Sequence, residues 1–193
     1  MIETYTKGNK SILLINGDRK IILKNPEVTY SDDEVHDNPD DIIYFYYTMS
    51  FKYLDDCDNR WKKICKSHVH DFPMVLSLPK MIDNILNIDV KTKGLKEKIN
   101  EHITIYRYMD CYESILNEDT CRVEKILYNN DKEFYYKLFI GVSYNNENNA
   151  IGFEFRHLDK RDLKKIKKWA EQFIKMGMDK ENRTIEDSKE VVE

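Results

Sequence analysis

A chain of 193 residues with 41% hydrophobic and 12% aromatic side chains, 13 Tyr and 8 Phe among them, can bury a core without a metal or a disulfide. That composition excludes intrinsic disorder, which goes with few aromatic residues. A net charge of −4 excludes a uniformly basic domain that holds nucleic acid by general attraction, and leaves room only for a local basic surface.

The first residues, MIETYTKGNK, lack the apolar segment of a secretory signal, so a cytoplasmic location is expected and Cys57, Cys65, Cys111 and Cys121 are expected to be reduced thiols. No apolar run reaches the length of a membrane-spanning helix, so no membrane partner is expected.

In chain order, Ser11 to Ile15 and Arg19 to Leu23 are short apolar runs separated by Asn16-Gly17-Asp18, which predicts a β-hairpin, with Thr4 to Lys7 either extending or preceding it. Residues 25–41 are rich in Asp, Asn and Pro and predict a loop, with a short strand at Glu27 to Thr29. Ile42 to Tyr53 is β-branched and aromatic and predicts a long central strand. Alternation along it puts Tyr44 and Tyr46 on one face and Phe45 and Tyr47 on the other, as core and half-exposed edge or as a recognition row. Asp55 to Lys66 predicts a short helix edged by Trp61, Ile64 and Cys65. A second helix is expected from Pro79 to about Ile88, capped by Ser77.

Between 92 and 121 the spacing of Leu95, Ile99, Ile103 and Tyr106 favours helices at 94–106 and 110–117, although Ile103 to Tyr108 also fits a strand. Arg122 to Tyr128, Glu133 to Val142 and a run through Ile151, Phe153 and Phe155 predict a three-stranded antiparallel meander. Asp159 then caps a helix with the stripe Leu163, Ile166, Trp169, Ala170, Phe173 and Ile174, ended by Gly177. The expected fold is α+β, with one mainly antiparallel sheet of about six strands packed against helices. Residues 1–178 form a single domain in this reading, and 179–193 a polar acidic tail, frayed or disordered.

Motifs for nucleotide, serine-hydrolase, zinc-protease and calcium chemistry are absent, and no cofactor is expected. Cys57, Cys65, His68 and His70, with Asp71, are the densest set of soft and borderline ligands. They could hold zinc or support acid–base chemistry in a small enzyme, although the spacing fits no common finger, and buried cysteines beside loop histidines explain it too. Glu154-Phe155-Arg156 with Asp131 faintly resembles a nuclease carboxylate pattern in which Arg replaces Lys.

Two charged features suggest contacts. Asp32, Asp33, Glu34, Asp37, Asp40 and Asp41 crowd one loop, expected to be extended by mutual repulsion. It is either a solubilising loop, a cation site or a surface facing a basic partner. Lys160, Lys164, Lys167 and Lys168 gather on the polar side of the last helix, where they either keep it soluble or meet phosphates or an acidic protein. The leading expectation is a non-catalytic protein that binds another protein. The alternatives are a nucleic-acid-binding accessory protein using the helix lysines, or a small enzyme around Cys65, His68 and His70.

Overall fold

The computed structural model describes residues 1–8, 10–69, 74–88, 96–99, 103–107, 111–116, 121–128, 133–144 and 147–190. The architecture is α+β, with two antiparallel sheets, of five and six strands, in place of the expected single sheet. The chain divides into two compact units, Glu3–Leu76 with Trp169–Glu193, and Met1–Ile2 with Ser77–Lys168.

The first unit is a meander of β1 (Glu3–Lys7), β2 (Ser11–Asn16), β3 (Arg19–Tyr30), β4 (Ile42–Asp55) and β5 (Arg60–Val69), hydrogen-bonded in sequence order. The predicted hairpin is β2–β3. Asn16 pairs with Arg19, so the loop is Gly17-Asp18, and Gly17 takes φ 59°, which a side chain would oppose. The strand expected at Glu27 to Thr29 is the far end of β3, which resumes its pairing after a register shift between Lys24 and Glu27. At that shift Asn25 adopts φ 52° and donates its N–H to Lys10 O at 2.7 Å. The loop therefore shrinks to 31–41. The helix expected over Asp55 to Lys66 is a turn and strand β5, with Asn59 at φ 53° in the turn.

Alternation sends Ile12, Leu14, Ile21, Leu23, Val28, Phe45, Met49 and Phe51 to one buried face. Full burial of side chains of this size stabilises by about 1.5–3 kcal/mol each before chain entropy is counted. Phe173 of α2 (Lys160–Glu190) packs edge-on against Phe45 at 5.8 Å and Tyr47 at 5.7 Å.

The second unit contains most of α1 (Met74–Asn87) and a six-stranded meander of β6 (Lys96–Lys98), β7 (Ile103–Arg107), β8 (Cys111–Leu116), β9 (Cys121–Tyr128), β10 (Glu133–Tyr144) and β11 (Glu147–Leu158). The three-stranded meander is as expected. Strands β6, β7 and β8 replace the helices expected at 94–106 and 110–117. Ile103, Ile105, Val123, Leu138, Ile140, Phe153 and Phe155 are among its buried strand residues, and Leu78, Met81, Ile82 and Ile85 of α1 are buried too. Ser77 and Pro79 lie inside α1, not at its start.

Asp159 caps α2 as expected. The Asp162 N–H donates to Asp159 Oδ1 at 2.8 Å, and these bonds hold the Asp159 carboxyl below its ordinary range. The whole predicted stripe, from Leu163 to Ile174, is buried. Gly177 does not end the helix, which continues through Glu190.

Candidate functional site

The five-stranded sheet turns one face to the core, and the register fixes what stands on the other. Lys20 of β3 lies opposite Lys52 of β4, and Lys52 opposite Lys63 of β5, so three lysines form one row across three strands. A register shift between Phe51 and Lys52 leaves Ile64 without a partner and keeps Lys63 on this face. Two residues along β4, Ser50 stands between Ile22 and Lys66, and Thr48 pairs with Lys24 on β3. Thr48 and Ser50 are small and only 6% and 8% exposed.

Aromatic rings stand among these cations. Lys20 Nζ sits over the Trp61 ring at 3.6 Å from its centroid. Burial, then the Lys52 charge, lowers the Lys20 pKa. Tyr44 and Tyr46 occupy the other end of β4 with centroids 6.1 Å apart, while Phe45 and Tyr47 turn inward, so the expected alternation of the four rings is present. Tyr5 of β1, opposite Leu13, is also exposed. Glu3 and Glu27 belong to the same face, and both are engaged, by Tyr5 and by Lys180. Among the described residues, no ion pair holds Lys20, Lys52, Lys63 or Lys66.

The acidic loop is not extended by repulsion. Its six carboxylates are exposed, but His36 in their midst offers one ring nitrogen to Asp32 at 2.7 Å and the other to Asp41 at 3.2 Å. The ring also lies 4.5 Å from Tyr30, and the His36 backbone exchanges bonds with the Asn182 side chain at 3.2 and 2.8 Å. Carboxylates on both sides favour the doubly protonated imidazolium, and the His36 pKa is raised, chiefly by Asp32.

Of the helix lysines, Lys160, Lys164 and Lys168 are exposed, whereas Lys167 is bound to Asp83 at 2.6 and 2.8 Å. The expected four-cation face is thus reduced by one. Cys57 lies exposed in the β4–β5 turn, and Cys65 faces Phe51 across the β4–β5 pair with burial raising its pKa. His70, Asp71 and the side chain of His68 fall outside the described residues. Glu154 and Arg156 pair with each other, and Asp131 is outside the described residues.

The six-stranded sheet carries a charged set that the sequence did not single out. Cys111, Glu113 and Glu124 bring their ligand atoms within 4.8 Å of one another. Arg122 at 2.8 Å and Lys137 at 3.5 Å already neutralise Glu124. Burial, then Glu113 and Glu124, push the Cys111 thiol up to about 12, which makes it a poor nucleophile at neutral pH.

The lysine row was missed for a structural reason. Its members are scattered in sequence, and only the β3–β4–β5 register aligns them. Runs such as KIILK and RWKKICK are the local trace of it. The chain matches no known protein family, no curated protein and no solved structure.

Proposed function

We propose that the protein is a non-catalytic binding protein whose contact surface for a negatively charged macromolecule is the outer face of the five-stranded sheet. The observation that carries this reading is the cross-strand row Lys20–Lys52–Lys63. Like charges directly opposite one another destabilise a sheet, and no carboxylate of the described residues relieves these. An anionic partner turns the repulsion into attraction shared by all three.

The test is binding of two unlike polyanions, heparin and poly-L-glutamate, at low salt. It is run for the parent chain and for Lys20→Gln, Lys52→Gln and Lys63→Gln combined. The parent should bind at least one, and the triple variant should lose about tenfold or more while keeping or gaining thermal stability. Failure to bind either polyanion at low salt sinks the reading. Binding that the triple variant retains moves the surface elsewhere, with Lys160, Lys164 and Lys168 the next to change.

A further inference from the structure

Resting on that reading, we infer that the anion is single-stranded nucleic acid, lying along β4 with its phosphates on the lysines and its bases against the rings. Charge alone does not choose between nucleic acid and an acidic protein, but the interleaving does. An acidic peptide needs only the cations. Here Trp61 stands beside the lysine row, and the exposed ring of Tyr44, with half-buried Tyr46 next to it, stands at the other end of the same strand face. A base has a flat π-face to lay on each ring, a glutamate has none, and stacking is tolerant of sequence.

Shape favours a single strand over a duplex. A sheet face offers neither a projecting helix nor a ribbon to enter the major groove, and a duplex keeps its bases stacked inside, away from the rings. Along β4, Lys20 and Lys24 of β3 stand on one side and Lys63 and Lys66 of β5 on the other, at about 4.8 Å from strand to strand, so these four flank the path of one extended backbone and Lys52 lies on it. The net charge of −4 does not by itself oppose this, because contact with phosphate is decided within a Debye length, about 10 Å at 0.1 M salt.

The experiment measures fluorescence anisotropy of labelled oligothymidylate and oligouridylate of about 12 nucleotides, against a duplex of equal length and unlabelled poly-L-glutamate as competitor. Variants are the triple lysine-to-glutamine chain, Trp61→Ala, Trp61→Tyr and Tyr44→Ala, each checked for native circular dichroism. The parent should prefer single strands to the duplex, and poly-L-glutamate should compete poorly. The triple variant should flatten the slope of log affinity against log salt by about 2, the loss of three phosphate contacts on a single strand. Trp61→Ala and Tyr44→Ala should each weaken binding by about tenfold, and Trp61→Tyr should restore most of the loss. Quenching of Trp61 emission by the oligonucleotide but not by poly-L-glutamate is the accompanying signature. Equal binding of poly-L-glutamate, or equal binding of the duplex, with the ring variants indifferent, overturns single-stranded nucleic acid while leaving the polyanion surface standing. Binding of no polyanion overturns both.

Discussion

His36 shows how one residue reverses the reading of a whole segment. Six carboxylates in a short loop repel, and by composition alone the loop should stretch. A ring held between Asp32 and Asp41 can donate from both nitrogens only when protonated, so the folded loop favours the charged form. The pKa is raised above the ordinary 6.5, with the hydrogen bond to Asp32 the largest cause. For a raised pKa, the stabilisation is fully present below the unfolded value and disappears as pH climbs through the folded one. Limited proteolysis within 31–41 should therefore be slow below about pH 6.5 and accelerate as His36 deprotonates above it. His36→Gln should cut at one pH-independent rate across that window. An NMR titration that places His36 below 6.5 rules the clamp out.

At the scale of elements, legibility followed how faithfully each kept its period. The β2–β3 hairpin and the α2 stripe were readable because a tight turn and an unbroken 3.6-residue repeat each leave a local mark. Strand β5 was not. The register shift beside Lys52 strands Ile64, which breaks the alternation and leaves Trp61, Ile64 and Cys65 at a spacing that imitates a helix edge. Over 94–117, the spacing of Leu95, Ile99, Ile103 and Tyr106 favoured a helix, but among the described residues Ile103 and Tyr106 belong to strand β7, as the alternative reading of Ile103 to Tyr108 allowed. Gly177 misled for the opposite reason. It reads as a helix stop, yet α2 passes through it because a Cβ there would meet Phe45 Cε2 and Val28 Cγ1, both at 2.9 Å. The glycine answers a close approach of helix to sheet. Gly177→Ala gains about 1 kcal/mol of helix propensity but overpacks that contact by roughly 1–3 kcal/mol. Urea denaturation should show a net loss of about 1 kcal/mol. A stabilised variant means that the two side chains yield freely and the approach is not tight.

For the molecule as a whole, the sign of the net charge and the sign of the candidate surface disagree, and that disagreement has a kinetic consequence. Long-range steering depends on the summed field, while holding depends on contacts. With −4 overall, an approaching polyanion feels mild repulsion until it is close enough for the lysine row to dominate. Salt acts differently on the two stages. At about 0.01 M the Debye length is roughly 30 Å and the repulsion extends across the protein, whereas at about 0.1 M it shrinks to roughly 10 Å and only contact charges matter. Adding salt over that range should therefore leave the association rate constant flat or raise it slightly, near the unsteered range of about 10⁵–10⁶ M⁻¹s⁻¹. Dissociation should accelerate, because counterions compete for the phosphates at contact, and the whole salt dependence of the affinity should appear in that rate. Stopped-flow mixing of a short labelled single strand with the parent chain, at several salt concentrations, separates the two. An association rate that starts near about 10⁸ M⁻¹s⁻¹ and falls steeply with salt would require an attractive field over the whole molecule. That field is incompatible with a local lysine row on a net acidic chain, and its observation would place the binding surface on some larger basic region instead.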